Sequence, residues 1–125
     1  MLVRDQPPLL LYAPSQMEFE LDGITVHFPY PYLYPEQFEY MLQLKRTLDD
    51  GGGHALLEMA TGTGKSVCLL SLLCAYQAQC DDAPKIVYCT RTVQEMDKVM
   101  AELKVVKAHR DKCLNVRSNQ RYRER

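Results

Sequence analysis

Residues Leu56–Leu70 read LLEMATGTGKSVCLL. An apolar run enters a burst of Gly and Thr, then Lys65-Ser66, then a second apolar run. Glycines let the backbone take angles closed to other residues, so successive N–H groups can point inward and cradle an anion. The spacing is that of a phosphate loop, G-x-x-x-x-G-K-[ST], with Met59 at the first position in place of Gly. In such a loop Lys65 reaches the β- and γ-phosphates, Ser66 turns its hydroxyl to magnesium, and the following helix adds its unpaired N–H groups. The bland alternative is a Gly-rich turn before a core helix. It requires loop spacing and flanking elements to agree by accident.

Working outward, Ala55–Met59 is a short apolar run and is expected to be a buried strand. Gly64 to about Gln79 is expected to be a helix. KIVYCT (Lys85–Thr90) gives a second buried strand, and Thr92 to Val106 a second amphipathic helix, with Thr92 and Glu95 spaced as a capping box. Strand, helix, strand, helix with short connections predicts an α/β fold: a parallel sheet flanked by helices. Upstream, Ile24, Val26 and Phe28 alternate with Thr25 and His27 as a strand. Three prolines hold FPYPYLYPEQ irregular until Pro35 opens a helix. Phe38, Met41, Leu42 and Leu48 share a face of that helix, which Asp49–Gly53 ends.

The chain has 125 residues, 46% hydrophobic and 25% charged, with net charge -1. These values fit a globular domain and exclude a disordered chain. The charge is unevenly spread: from Lys104 onward there are eight Lys/Arg against two acids, +6, and the rest carries -7. A basic tail can meet phosphates, and it can equally be a solvated terminus. Residues 1–16 form an irregular, proline-containing leader, 17–106 the folded unit, and 107–125 a basic tail expected to be disordered or aberrant. The five cysteines contain no CxxC pair, and an odd count suggests a reducing compartment. No apolar run is long enough to span a membrane, so no membrane partner is expected.

Binding a triphosphate is not hydrolysing it. An acid at the end of another strand must also hold magnesium, and no apolar strand here ends in Asp-Glu. Asp49-Asp50 and Asp81-Asp82 lie in turns. The chain is therefore expected to keep the cradle and to be inactive alone.

Three segments in order, FPYPYLYPEQFEYM, HALLEMATGTGKSVCLLSLL and KIVYCTRTVQEMDKV, resemble the opening of the XPD-type helicases, the Rad3-like branch of superfamily 2. The resemblance covers Met17 to about Val106, and in that family Met59 is normal at the head of the loop. It implies part of a RecA-like motor domain, with ATP and magnesium as cofactors. It implies an ATP-dependent DNA helicase (an ATP hydrolase) unwinding 5′ to 3′, a subunit of the transcription and repair factor TFIIH, acting in transcription initiation and nucleotide excision repair in the nucleus. Single-stranded DNA and other TFIIH subunits are the implied partners. Residues Met59, Ala60, Thr61, Gly62, Thr63, Gly64, Lys65 and Ser66 match the nucleotide loop, with Lys65 and Ser66 the catalytic pair. Gln37 matches the glutamine that helps read adenine, and Tyr30, Tyr32 and Tyr34 could each offer a ring to the base. Thr90, Arg91 and Thr92 match a segment that contacts the DNA backbone. RDKCLNV loosely resembles the first cysteine segment of the family's four-cysteine 4Fe–4S cluster, which makes Cys113 either an iron–sulfur ligand or a free cysteine. The rivals are a non-enzymatic interaction fragment and a different Rad3-like helicase of the same branch.

Overall fold

The computed structural model describes residues 17–51 and 53–123, the last five as helix backbone. The leader expected over 1–16 lies outside the described residues. The elements in chain order are β1 (Met17–Leu21), β2 (Ile24–Phe28), α1 (Pro35–Asp49), α2 (Lys65–Gln79) and α3 (Val93–Arg123).

β1 and β2 form an antiparallel hairpin in the register Met17↔Phe28 to Leu21↔Ile24. The two-residue turn is Asp22-Gly23, with φ of 46° and 87°. Positive φ at both positions suits a hairpin of this twist, and Asp-Gly is among the pairs that reach it easily. β2 was legible from its alternation. β1 was not read, although Glu18 and Glu20 alternate with apolar residues before an Asp-Gly turn. The outer edge of β2 is closed by α2: Thr25 N donates to Gln79 Oε1 at 2.9 Å, and Gln79 Nε2 donates to Thr25 O at 2.7 Å. One side-chain amide thus satisfies both backbone groups that the hairpin leaves open at Thr25.

Pro35 occupies the first turn of α1, as expected, and Met41 is wholly buried on its inner face. Lys45 is buried one turn on; its Nζ meets Asp49 Oδ2 at 2.5 Å and lies 5.6 Å from the centre of the Tyr76 ring. α2 lies against α1, β2 and α3. Its Val67, Cys68, Leu70, Leu72 and Ala75 meet Leu21, Ile24, Val26 and Phe28 of the hairpin in one core.

One expectation is corrected, and a second is met only in part. The helix expected to end near Val106 continues to Arg123, so the residues read as a disordered basic tail are helical over that span. Val99, Val106 and Cys113 are buried at seven-residue spacing and form an apolar stripe. The same stretch is pinned to β1 by the Arg117–Glu18 ion pair at 2.5 Å and by His109 Nε2, 3.2 Å from Met17 O. The α/β class is met, but the expected parallel sheet is not among the described elements. The described strands are β1 and β2 alone, and they are antiparallel. The runs 55–59 and 85–90 carry no strand pairing. Leu56 is fully exposed and Val87 is 83% exposed. A strand exists only where another strand takes its N–H and C=O groups, and among the described residues none does so for these two runs.

Candidate nucleotide cleft

The turn between residue 60 and α2 is shaped by Gly62 and Gly64, with φ of 78° and 82°. Gly64 caps α2 from the left-handed region, and its carbonyl accepts from Cys68 N at 3.1 Å. The loop is then closed on itself. Lys65 Nζ donates to Met59 O at 2.8 Å and to Ala60 O at 3.3 Å, while Thr63 Oγ1 donates to Ala60 O at 2.5 Å. Two of the three ammonium donors of Lys65 are therefore held by the loop's own carbonyls, and the third is free for an anion.

Gln37 braces the loop from α1. Its Oε1 accepts from Tyr34 N at 3.0 Å, which caps the start of α1, and its Nε2 donates to Thr63 O at 2.8 Å. The side chain is buried. A primary amide has two acceptor positions and two donors, so one of each stays unused here. A methyl group built on Gly64 would stand 2.8 Å from Gln37 Nε2. The glycine is thus required by the brace as well as by its backbone angle.

Around the loop lies a cleft of about 600 Å³, a size suited to a small-molecule ligand. Gly62, Thr63, Gly64, Lys65 and Ser66 form its polar floor, Gln37 borders it, and Phe28, Tyr30, Tyr32 and Tyr34 supply aromatic walls. Met59 and Ala60 take part through their carbonyls beneath Lys65. Thr61 is exposed at the turn. The inward-turned glycines, the start of α2, Lys65 and the Ser66 hydroxyl are a donor set that fits a triphosphate with magnesium. Sequence reasoning missed one member, Glu102 of α3, whose carboxylate borders the cleft and accepts from Tyr30 OH at 3.0 Å. This hydrogen bond holds the Tyr30 phenol above its usual range. The two residues lie 72 positions apart, and no local signal joins them.

Thr90, Arg91 and Thr92 lie at the start of α3, apart from the residues that line the cleft. Thr92 caps the helix, its Oγ1 accepting from Glu95 N at 3.2 Å. The return bond of the capping box goes to Arg91 rather than Thr92: Arg91 N donates to Glu95 Oε2 and its guanidinium to Glu95 Oε1, both at 3.1 Å. Arg91 holds the Glu95 carboxyl below its ordinary range. The Arg91 side chain is 90% exposed, open to a phosphate that could displace Glu95.

Cys113 stands elsewhere, buried on α3 with its Sγ 3.5 Å from His109 Nε2. Burial pushes its thiol up. No three His, Cys, Asp or Glu side chains among the described residues come together as a metal site. An iron–sulfur cluster takes four ligands, so the described residues do not fit one. Among the described residues no helix is long and apolar enough to cross a membrane.

Comparison with known proteins agrees with this geometry. The chain is 56% identical over 91 residues to the general transcription and DNA repair factor IIH helicase subunit XPD of Arabidopsis thaliana, which covers 72% of this chain and 12% of the relative. To the subunit of the same name in Schizosaccharomyces pombe it is 51% identical over 94 residues, 75% of this chain and 12% of the relative. The chain thus spans about an eighth of the length of these relatives. Residues 31–123, which include the loop, Gln37, Glu102 and α3, match the family described as type III restriction enzyme, res subunit. The chain therefore belongs to that family, and over about three quarters of its length it is similar to a small part of XPD helicase subunits.

Proposed function

We propose that this chain is the nucleotide-binding portion of the motor of an ATP-dependent DNA helicase of the XPD type. The observation that carries the reading is the loop itself: two left-handed glycines, a lysine held over the loop carbonyls and a serine at the head of a helix, all facing one cleft and braced by Gln37. Gly62 to Gly64 and the first N–H groups of α2 take the phosphates. Lys65 leaves the carbonyls of Met59 and Ala60 to neutralise the β- and γ-oxygens, and Ser66 turns its hydroxyl to magnesium. The unused donor and acceptor of Gln37 meet the edge of adenine. Magnesium, when bound, supplies charge neutralisation on the phosphates; the chain's own residues orient them.

The finer architecture belongs to the same proposal. Runs 55–59 and 85–90 are strands of a RecA-like parallel sheet that form when further strands take up their backbone groups. Their full or partial exposure and their apolar composition support this. Thr90, Arg91 and Thr92 then lie at the end of one of these strands and contact the backbone of single-stranded DNA, with hydroxyls, a cation and free N–H groups suited to phosphate. By its relatives' names the parent assembly is factor IIH. Other subunits of the factor as partners, the 5′ to 3′ direction and a nuclear role in transcription initiation and excision repair belong to the same proposal.

Binding of ATP–magnesium to the purified chain, with Lys65→Ala beside it, tests the reading. Loss of a charge-assisted contact should weaken binding by about 1.5–3 kcal/mol. Equal affinity in the two proteins would remove the phosphate-loop assignment.

A further inference from the structure

The cleft is lined by two chemically different sets of groups. The loop presents N–H groups, Lys65 and Ser66 to anions. The other set is a carboxylate, Glu102, hydrogen-bonded to Tyr30, together with the aromatic rings. A carboxylate repels phosphate, so the triphosphate is driven to the loop and an uncharged group to the rings. Three tyrosines border the cleft, and they are not equivalent. Tyr32 and Tyr34 are 73% and 63% exposed, whereas Tyr30 is 44% exposed and anchored twice. Its ring lies edge-on to the buried Phe28, with centroids 6.0 Å apart and planes at 68°. Its hydroxyl donates to Glu102 Oε1 at 3.0 Å. A ring fixed at both ends has already lost the rotamer freedom that a stacking ligand would otherwise have to remove.

We propose that Glu102 is a positioning residue of the nucleotide site: it holds the Tyr30 ring as the platform for the base, and so makes α3 a wall of the cleft. The proposal rests on the phosphate-loop reading and deepens it, since it names the ring against which the base lies. Glu102 acts through Tyr30 and needs no contact with the nucleotide. Stacking on Tyr30 is tolerant of base identity, because every base presents a π-face. The platform therefore strengthens purine nucleotides as a class and leaves selection among them to Gln37.

Binding of three probes to the 125-residue chain tests this: ATP, GTP and inorganic tripolyphosphate, each with magnesium. Tyr30→Leu should weaken ATP and GTP alike, on the order of tenfold, and leave tripolyphosphate unchanged. Glu102→Leu should weaken the same two probes by a smaller factor. Glu102→Gln should restore them, because an amide oxygen still accepts from the Tyr30 hydroxyl. If Tyr30→Leu does not fold, Glu102→Leu and its rescue by Glu102→Gln carry the test, since that contact is at the surface. Unchanged ATP affinity in Tyr30→Leu or Glu102→Leu, with both probe classes weakened in Lys65→Ala, overturns the platform and leaves the phosphate loop standing. Equal loss of ATP and tripolyphosphate in the Tyr30 and Glu102 variants also overturns it. A wild-type chain that binds none of the three removes both readings.

Discussion

Alanine at Gly64 should be among the most damaging single-methyl additions in this molecule, and Gly62→Ala is its internal control. Both glycines have φ near +80°, at 78° for Gly62 and 82° for Gly64. Holding an L-residue there costs roughly 1–2 kcal/mol at either site. At Gly62 the new methyl meets nothing within 4 Å, so that strain is the whole effect. At Gly64 the methyl would lie 2.8 Å from Gln37 Nε2 and 3.3 Å from Val67 Cγ1. Gln37 must then retreat and release Thr63 O, and its buried amide loses a partner at about 1–3 kcal/mol. Gly64→Ala should therefore cost about 2–5 kcal/mol against about 1–2 for Gly62→Ala. The assay is urea unfolding followed by circular dichroism, comparing midpoints at constant slope. A double-mutant cycle isolates the contact: with Gln37→Ala already present, Gly64→Ala should lose most of its excess over Gly62→Ala. Equal cost at the two glycines, or strict additivity in the cycle, would refute the brace between α1 and the loop.

Other consequences follow from groups outside the loop. His27 is buried with Nδ1 lacking a hydrogen-bond partner, and burial lowers its pKa below 6.5 despite the opposing pull of Glu18. The unfolded chain therefore takes the proton first, and the stability from neutral His27 is complete above pH 6.5 and declines as pH falls below it. His27→Leu should flatten that part of the stability–pH curve relative to wild type, and an unchanged slope would show that His27 does not titrate against folding. Cysteine alkylation by neutral iodoacetamide should begin at the exposed Cys89, with Cys68, whose pKa burial raises to about 11, and the buried Cys113 reacting only on unfolding; early labelling of Cys113 would contradict its place in the α3 stripe. Arg91→Ala should weaken single-stranded DNA binding uniformly across sequences and reduce the salt slope by about 0.7, the single-strand value for one phosphate contact; a slope equal to wild type would remove Arg91 from the interface.

Local chemistry made much of this site legible. Pro35, Gly64 and the Lys-Ser pair act within a few residues of themselves, so the starts of α1 and α2 and the loop between residue 59 and Ser66 could be placed from sequence. α3 was cut short because charge was weighed above periodicity. Val99, Val106 and Cys113 continue a seven-residue stripe through the basic stretch, while Lys104, Lys107 and Lys112 are exposed. The runs 55–59 and 85–90 were read as strands from composition, but composition reports only that a segment can be buried. Whether it pairs depends on residues far away, and among the described residues none pairs with either run. Glu102 was invisible for the same reason: its role exists only where α3 crosses the end of β2.

These facts together separate the cradle from the sheet. A phosphate loop that hangs from a central strand would be expected to lose its shape where that strand is unpaired. Here it does not, because its fixed points lie in helices and in itself. Gln37 holds Thr63 from α1, Gly64 O accepts from Cys68 in α2, and Lys65 and Thr63 close the loop onto the carbonyls of Met59 and Ala60. α1 and α2 are in turn packed on each other and share the hairpin core. Shape at the loop thus depends on the α1–α2 contact and on the buried face of α2, whereas residues 55–59 serve as its tether. On the proposed function, phosphate binding should follow the first, so loss of strand pairing at 55–59 should leave it standing. Strand pairing at 55–59 would instead govern what the loop can do next, by fixing where residues at other strand ends stand relative to a bound triphosphate.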